Sequence, residues 1–502
     1  MKKAASGYRL IFGYLGFFLI MVGAICLLPL IALIFYPLEA DVAINFYPVG
    51  LIAIAVGVVL ATLLLHGREK ERLGKNQDYV MLILIWIMAI IIGAVPFYLR
   101  GDMTITQSIF ESTSGYTSTG LTVYNLNPDA SGYHIYTLYR SLLIFFGAIG
   151  LVLVLVSAIS DRYGMRLYSS EGHNDKLLPN LAKSSRLILS IYTVIILLGA
   201  VAYTIAGLNF FDALNHSITA VGTGGFSTSQ NGVLSLGGNH IAIEIISMVL
   251  MIAGATNFVI HLLLIRGKFK KVFRDIEVRF FLLMLLIFIP LFIVGVYTAH
   301  SQTLGELSFF DSIRLGVFYM VSSVTTTGFS SFQPILALGS PILFMSAILM
   351  MIGGAMGSTA GGIKQVRVAS VFKGIYYTLF DRLSSKRIIR SHFLLRYGEE
   401  KEYTNDYFNE SVSYLLLYLL LLFVGTLLIT FMPAGVTFGD AFYEVASAMS
   451  GTGLSSGVTY ASQHVGVLWV LSVVMFLGRL EIIVVYYAGS RVVRDIFRKE
   501  TV

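Results

Sequence analysis

The sequence predicts an all-α membrane protein with ten transmembrane helices and four re-entrant half-helices, arranged as four pseudo-symmetric units. Three observations support this fold class. The chain is 56% hydrophobic and only 13% charged, whereas soluble domains carry about 25% charged residues. Ten apolar runs are long enough to cross a bilayer. A phrase rich in glycine and threonine recurs four times between those runs.

A spanning helix needs about 20 apolar residues. The first run is too long for the h-region of a signal peptide and lacks a small-residue cleavage site, so we interpret it as an uncleaved helix. The predicted spans are Leu10–Phe35, Val49–Leu65, Tyr79–Leu99, Tyr136–Ile159, Leu187–Ile205, Ile241–Ile265, Phe280–Tyr297, Leu343–Phe372 (interrupted), Val412–Met432 and Val465–Ala488.

Four shorter apolar stretches are too short to span and each leads into one of the Gly/Thr phrases. This length is typical of a half-helix followed by a loop that returns to the same side of the membrane. Irregular backbone at that depth is tolerated only inside protein or along a watery cavity. The predicted half-helices are Thr106–Tyr116, Phe211–Val221, Leu315–Val324 and Ala441–Met449.

The repeating unit is therefore helix, half-helix, Gly/Thr loop and helix, occurring four times after a two-helix hairpin. Alignment on one glycine of each phrase also brings Glu111 onto Glu444 and Asp212 onto Asp440, which supports a true internal repeat. The later helix of each unit contains a small-residue break. The predicted divisions are a hairpin at 1–75 and units at 76–180, 181–275, 276–400 and 401–502.

Lysine and arginine predict the topology, because cytoplasmic loops carry an excess of them. The segments outside the Gly/Thr loops are basic, whereas the segments that carry those loops hold only Arg100, Arg140 and Arg314. Both termini are then cytoplasmic and the four loops enter from outside. The net charge of +7 is explained by this topology before any nucleic-acid role is considered.

The loops have the composition of a cation site. A cation that crosses lipid needs oxygen ligands in place of water, and glycine permits the backbone conformations that aim carbonyls at an ion. The half-helices would point their partly negative C-terminal ends at the same centre. The alternative is tight helix packing through small residues, which four copies after four half-helices make a weaker explanation.

At these residues the chain resembles the superfamily of bacterial Trk and Ktr potassium-uptake subunits and plant HKT transporters, from about Tyr79 to the C-terminus. The N-terminal hairpin is similar to the extra hairpin of TrkH-type subunits. In this family four pore helices and pore loops surround one pore, and each filter strand has a key glycine. These glycines would be Gly120, Gly225, Gly328 and Gly453.

The resemblance implies potassium selectivity, because a serine at the first of these positions accompanies sodium selectivity in some plant relatives. The threonine-rich pattern is intact in the third loop and looser in the others. The expected ion-binding residues are Thr117, Ser118, Thr119, Gly120, Gly222, Thr223, Gly224, Gly225, Thr325, Thr326, Thr327, Gly328, Ser450, Gly451, Thr452 and Gly453.

Two features are expected to form a gate. A glycine-rich run breaks the last helix of the third unit and resembles the family's intramembrane gating loop; the alternative is a packing kink. Arg479 lies deep in the last apolar run, where an isolated charge is costly. It matches the family's pore arginine, and a structural ion pair is the alternative. The expected gating residues are Gly353, Gly354, Gly357, Ser358, Thr359, Gly361, Gly362, Lys364 and Arg479.

Asp212 and Asp440 begin half-helices and are expected to cap them. Glu111 and Glu444 lie within half-helices, where we expect a structural hydrogen-bonding role first and ion attraction second. Lys364 could equally be a simple anchor at the cytoplasmic end of a helix.

The sequence does not favour an enzyme, because the histidines lack metal-binding spacing and the glycine runs lack nucleotide-loop context. The resemblance implies a bacterial inner-membrane protein that carries potassium, forms a homodimer and binds a TrkA-like cytoplasmic ring of nucleotide-binding domains. A cation-coupled secondary transporter, or a transporter with weaker preference for potassium over sodium, stays open, as does a membrane subunit without flux.

Overall fold

The computed structural model describes residues 3–66, 76–151, 181–303, 308–331, 339–383 and 391–497. The predicted end of the fourth span, residues 152–159, and the basic cluster at 68–72 lie outside this part of the chain. The described residues are mainly helical, with one two-stranded antiparallel sheet of β1 (Phe393–Arg396) and β2 (Glu399–Glu402).

The N-terminal hairpin is formed by α1 (Lys3–Leu27) and α2 (Tyr47–Leu65), joined by two 3₁₀ helices. Glycines allow the two helices to pack closely: a Cβ atom on Gly16 would lie 2.6 Å from the carbonyl oxygen of Gly57, and the same holds in reverse. Small residues are typical of helix contacts within membranes because they let backbones approach.

The remaining helices repeat one order four times: a long helix, a half-helix, a loop and a second helix. The first unit contains α3 (Gln77–Leu99), the half-helix α4 (Ile105–Tyr116) and α5 (Tyr133–Ile149). The helices of the second unit are α6 (Leu181–Ile205), the half-helix α7 (Phe210–Val221), α8 (His240–Ala255), α9 (Phe258–Ile265) and α10 (Phe269–Arg274).

The third and fourth units flank the small sheet. The third consists of α11 (Ile276–Thr303), the half-helix α12 (Phe309–Val324), α13 (Ser340–Ile352) and α14 (Gln365–Leu383). The fourth consists of α15 (Asn405–Thr430), the half-helix α16 (Phe438–Ser450), α17 (Val465–Arg479) and α18 (Ile482–Phe497).

The half-helices lie close to their predicted positions, with one difference. The third begins at Phe309, six residues before the predicted Leu315, because Ser308 caps it by accepting a hydrogen bond from the amide of Phe310. The amphipathic residues 309–314 were too polar to be included in an apolar run. The second and fourth half-helices are capped by Asn209 and Thr437.

Asp212 and Asp440 are therefore the third residues of their helices. The prediction that they cap the helices was wrong by three positions. The Asp440 carboxylate accepts a hydrogen bond from the Thr437 hydroxyl at 2.6 Å, and the amides of both aspartates donate to the cap residues. A carboxylate in the first turn also favours the positive end of the helix dipole.

Among the described residues, six helices are long and apolar enough to cross a membrane, or up to eight if two bent pairs each count as one span. The predicted continuous spans Ile241–Ile265 and Val465–Ala488 are both broken: α8 and α9 are bent by 110°, and α17 and α18 by 97°. Average hydropathy does not register such a break, because the chain stays largely apolar while it changes direction.

The second helix of each unit ends near the small-residue break that was predicted from the sequence. Glycines at these ends support the half-helices: a Cβ atom on Gly147, Gly254 or Gly478 would lie within 2.3 Å of the carbonyl oxygen of Tyr116, Val221 or Met449, respectively. These carbonyls all stand four residues before the aligned glycines of the loops. The second helices thus buttress the C-terminal ends of the half-helices in units one, two and four.

Candidate functional site

The four Gly/Thr loops, at residues 117–120, 222–225, 325–328 and 450–453, meet in a closed ring. Each aligned glycine lies against the carbonyl that precedes the aligned glycine of the next loop. A Cβ atom would lie 2.0 Å from Gly224 O if placed on Gly120, 2.2 Å from Thr327 O on Gly225, 1.7 Å from Thr452 O on Gly328 and 2.1 Å from Thr119 O on Gly453.

The backbone repeats with the same fourfold register. The aligned glycines have φ between +64° and +88°. Two residues before each, a second residue is also left-handed: Ser118, Thr223, Thr326 and Gly451, with φ between +48° and +66°. Positive φ is uncommon for residues with a side chain, so its recurrence at corresponding positions indicates that the loops share one strained conformation.

This conformation uses the loop amides and leaves carbonyls free. The amides of Thr119, Gly224, Thr327 and Thr452 donate to carbonyls near the C-terminal ends of their half-helices at 2.9–3.0 Å. The carbonyls of the same four residues accept no hydrogen bond among the described residues. Free carbonyl oxygens beside the negative ends of four helices are suited to a desolvated cation.

Hydroxyl pairs brace three of the four loops. Thr117 and Thr119 are hydrogen-bonded to each other at 2.8 Å, Thr325 and Thr327 at 2.9 Å, and Ser450 and Thr452 at 2.6 Å. The second loop has Gly222 and Gly224 at these positions, and Ile144 of α5 fills the space that their side chains would occupy. The ring is therefore fourfold in backbone but not in side-chain oxygens.

A cavity of about 490 Å³ opens on one side of the ring and is lined by all four aligned glycines and by residues that follow them, such as Thr122, Ser227 and Ser455. We call it the vestibule. In the described part of the chain, no three His, Cys, Asp or Glu side chains are grouped as metal ligands.

A buried polar residue backs each loop nine residues before its aligned glycine. Glu111 accepts hydrogen bonds from the Thr122 hydroxyl and the amide of Val123, and Glu444 accepts them from the hydroxyl of Ser455 and the amide of Ser456. The structural role expected for both glutamates is therefore what the structure shows. Both hold the strand two and three residues beyond the glycine.

The same position is occupied by different residues in the other two units. His216 Nε2 is 3.0 Å from the hydroxyl of Ser227, and the Tyr319 hydroxyl accepts from Ser331 at 3.3 Å. Sequence reasoning missed both because their chemistry differs from that of a carboxylate. The register that aligned Glu111 with Glu444 would have found them.

Arg140 was also missed, since it was counted only as an uncommon charge on the loop side of the membrane. Its side chain is 1% exposed and donates from Nε to Glu111 at 2.7 Å and from Nη2 to the Thr122 hydroxyl at 3.0 Å. The guanidinium also stacks 4.0 Å from the ring centre of Phe226. Arg140 therefore joins the backing of the first loop to the second loop.

The glycine-rich run at residues 353–362, for which the sequence predicts a gating role and which we therefore call the gate loop, contacts the ring on the side opposite the vestibule. It contacts residues that precede the aligned glycines. The Thr359 hydroxyl donates to Val221 O at 2.9 Å, and the Gly361 amide donates to the Thr326 hydroxyl at 2.8 Å. A Cβ atom on Gly361 would lie 1.9 Å from Ser450 O.

The predicted gating residues are thus brought together. Gly353 ends α13, and a Cβ atom on it would lie 2.2 Å from Gly361 O, so the run folds back on itself. Gly354 donates its amide to the same carbonyl, and Ser358 donates its hydroxyl to Ala355 O at 2.6 Å. A cavity of about 50 Å³ is lined by Gly357, Ser358, Gly361, Gly362, Lys364 and Arg479 among others, so free space is far smaller here than in the vestibule.

Arg479 ties three units together. Its Nη2 donates to Gly147 O at 2.5 Å and to Ala148 O at 2.7 Å, and its Nη1 donates to Thr359 O at 3.2 Å. The guanidinium thus binds the C-terminal end of α5 and the gate loop. The neighbouring Glu481 pairs with Arg367 at 2.8 Å.

Lys364 lies against the gate loop, where its ammonium donates to Ala360 O. Two polar residues hold the side of the gate loop that faces away from the ring. Glu277 accepts from the amide of Met356 at 2.7 Å. Asn257 donates to the carbonyl of Met356 and to the hydroxyl of Tyr397 in the turn of the small sheet, the latter at 2.9 Å.

Comparison with known proteins agrees with this architecture. The family described as TrkH, cation transport protein, matches residues 45–492. A Trk system potassium uptake protein TrkH of Halomonas elongata is 30% identical over 500 residues, covering 95% of this chain and 97% of the relative. An uncharacterized cation transporter of Methanocaldococcus jannaschii is 29% identical, covering 96% and 94%.

The crystal structure of the potassium transporter TrkH from Vibrio parahaemolyticus has the same fold, with a TM-score of 0.82 and 23% identity over 95% of this chain and 98% of that one. The family is one of transporters rather than enzymes, and the long apolar helices make this a multi-pass membrane protein. The chain therefore belongs to the TrkH family of cation transport proteins.

Proposed function

We propose that the chain is the potassium-selective, ion-conducting subunit of a bacterial Trk-type uptake system. The observation that carries this proposal is the ring of four loops with free carbonyls at Thr119, Gly224, Thr327 and Thr452. Carbonyl oxygens in such a ring replace the hydration shell of a monovalent ion. The relatives named as Trk potassium uptake proteins support potassium as the ion.

The ion path runs from the vestibule through the ring to the gate loop. Potassium would lose its water at the carbonyls and hydroxyls of residues 117–120, 222–225, 325–328 and 450–453, which form the selectivity filter. The membrane potential drives inward movement by about 2.3 kcal/mol per charge for each 100 mV. Potassium is the cargo of this site.

The gate loop and Arg479 regulate passage. Hydrogen bonds at Thr359 and Gly361 attach the loop to the filter, and its many glycines allow its backbone to adopt other conformations. Arg479 holds it against α5 and adds a positive charge beside the small cavity that the loop lines. Displacement of the loop would open the path.

The remaining features of the proposal follow the family resemblance and the charge pattern. The proposed topology has ten spans, cytoplasmic termini and an inner-membrane location. Its divisions are at 1–75, 76–180, 181–275, 276–400 and 401–502. A homodimer with a TrkA-like nucleotide-binding ring is the proposed assembly. The basic segments that follow the units in the sequence would dock this ring.

The second candidate is a transporter that discriminates weakly between potassium and sodium, either channel-like or coupled to another cation. The second loop favours it, because Gly222 and Gly224 supply no hydroxyl where the other loops have a braced pair. A filter strand without this hydroxyl pair excludes the smaller sodium ion less strongly.

Uptake of rubidium or potassium by liposomes that contain the purified chain tests the proposal, with and without the cytoplasmic ring. We expect uptake that follows an imposed negative potential and that a tenfold excess of sodium barely inhibits. Strong sodium competition would support the second candidate. No potassium flux under either condition would refute both.

A further inference from the structure

A polar cavity of about 560 Å³ lies where the first turn of α3 meets α18, away from the filter and the gate loop. Two arginines and three tyrosines contribute to it. The described residues that matter here are Asn76, Tyr79, Tyr487, Ser490, Arg491 and Arg494. Neither the filter nor the gate accounts for this group of side chains.

The cavity lies at the boundary of the membrane. The helix α3 is one of the long apolar spans and begins at Gln77, so Asn76 and Tyr79 mark its end. The rings of Tyr79 and Tyr487 stack with their centres 5.6 Å apart. Tyrosines are enriched at the level of lipid headgroups, and the 97° bend before α18 carries this helix away from the direction of α17.

Among the described residues, the face of α18 toward the cavity carries more positive than negative charge. Ser490, Arg491 and Arg494 follow at helical spacing on one side of the helix. Asp495 accepts hydrogen bonds from the Tyr8 hydroxyl at 2.8 Å and from Arg491 Nε at 3.0 Å. In the part of the chain that the structure describes, the two terminal nitrogens of Arg491 have no hydrogen-bond partner. Arg494 is exposed and has no ion pair among the described residues.

We propose that this cavity binds the phosphate of an anionic phospholipid headgroup. The guanidinium fork matches the geometry of a phosphate better than an ammonium does, and basic pockets between spanning helices are typical headgroup sites. A lipid is favoured over a free anion because the tyrosine rings provide apolar contact beside the charge and because the pocket stands at the end of a span.

Occupancy would bridge α3 to α18, the helix that follows Arg479 in the chain. The helix α18 begins at Ile482, three residues after Arg479, and its first turn follows the Glu481–Arg367 pair. A phosphate held by Arg491 and Arg494 would fix the orientation of α18 and, with it, the segment that contacts the gate loop. Lipid binding is therefore expected to stabilise the arrangement described above.

Thermal unfolding of the full chain in detergent tests the proposal without depending on ion flux. Phosphatidylglycerol, phosphatidylcholine or inorganic phosphate would be added to the wild type, Arg494→Gln, Arg494→Lys and Arg274→Gln. Arg274 is an exposed arginine at the end of α10 and serves as the matched control. Native mass spectrometry would count retained phosphatidylglycerol.

We expect phosphatidylglycerol to raise the unfolding midpoint more than phosphatidylcholine. Arg494→Gln should lose most of that rise and retain one phosphatidylglycerol fewer per chain, Arg494→Lys should keep part of the rise, and Arg274→Gln should match the wild type. Equal protection by inorganic phosphate would overturn the assignment to a lipid. Equal loss in Arg274→Gln, or none in Arg494→Gln, would overturn the site.

Discussion

Arg140 and Glu111 form an ion pair with 2.7 Å between Nε and Oε1, and both side chains are almost fully buried behind the first Gly/Thr loop. The carboxylate also holds Thr122 and Val123, and the guanidinium reaches the second loop through Ser227 O at 3.4 Å. A buried pair of this kind fixes geometry, because neither partner tolerates the loss of the other.

The first prediction concerns this pair. Glu111→Gln keeps the shape of the side chain but leaves Arg140 buried without its counter-charge, which typically costs about 3–5 kcal/mol. The first loop should lose its fixed position, so we expect a lower unfolding temperature and a lower ratio of potassium to sodium uptake in liposomes.

The pair between Glu244 and Arg314 provides the control. Its atoms are 2.9 Å apart and Glu244 is fully buried, but Arg314 stands in the second turn of its half-helix, toward the end opposite the loop. Glu244→Gln should lower stability and leave the uptake ratio unchanged. If both variants lower the ratio equally, the effect reflects general destabilisation rather than support of the filter.

The second prediction concerns the ring of glycines. Gly120→Ser places a side chain at φ +88° with its Cβ atom 2.0 Å from Gly224 O, so this carbonyl must move. Loss of about 1.4 kcal/mol in the preference for potassium lowers selectivity about tenfold. We expect that change in the ratio of potassium to sodium permeability.

Gly101→Ser is a close control, because Gly101 has φ +90° and no atom lies within 4 Å of the point where its Cβ atom would stand. It carries the same backbone strain without the clash. Unchanged selectivity in Gly120→Ser, or equal loss in Gly101→Ser, would remove the argument that glycine is required by the contact between neighbouring loops.

The repeat was predictable from sequence because it depends on local pattern. Half-helices, loops and the aligned glycines are each encoded within about 20 residues, so alignment of Gly120 with Gly453 also placed Glu111 opposite Glu444. The order of the loops around the ring was not predictable, since it depends on contacts such as Gly328 with Thr452 that join distant units.

The partners of single charges were the least predictable feature. A mid-membrane arginine is expected to find a carboxylate, and Glu481 is two residues from Arg479. After the bend that follows Arg479, Glu481 pairs with Arg367, and the Arg479 guanidinium donates to the carbonyl end of α5. Hydropathy reports composition but not the direction of the backbone, so the sequence offered no means to choose between these partners.

The third prediction separates two roles for Arg479. If its charge is the barrier to cations, Arg479→Lys should keep flux near the wild-type level and Arg479→Gln should raise it. If its hydrogen bonds to Gly147 O, Ala148 O and Thr359 O hold the gate loop, both variants should raise flux, because lysine cannot reproduce the planar fork. The geometry favours the second outcome.

Tracer uptake at a fixed potential measures both variants, and the unfolding temperature is recorded beside it. Flux identical to the wild type in both would exclude a gating role for Arg479. A loss of flux that accompanies a large loss of stability would show instead that the residue is required for folding.

The fourth prediction concerns the contacts that hold the gate loop on the side away from the ring. The hydroxyl of Tyr397, in the turn between β1 and β2, accepts a hydrogen bond from Asn257, which also binds Met356 O. The amide of Tyr397 is fixed by Asp275 at 2.8 Å. Tyr397→Phe removes the hydroxyl alone and should loosen the hold of Asn257 on Met356 O, so we expect higher basal flux and a weaker response to the proposed cytoplasmic ring.

Tyr376→Phe, at an exposed position on α14, should leave both unchanged. An unaltered response in Tyr397→Phe would show that this contact does not carry the effect of the ring from the sheet to the gate loop. Equal effects in the two variants would show that the cause is the loss of a tyrosine hydroxyl in general, and not the loss of the bond to Asn257.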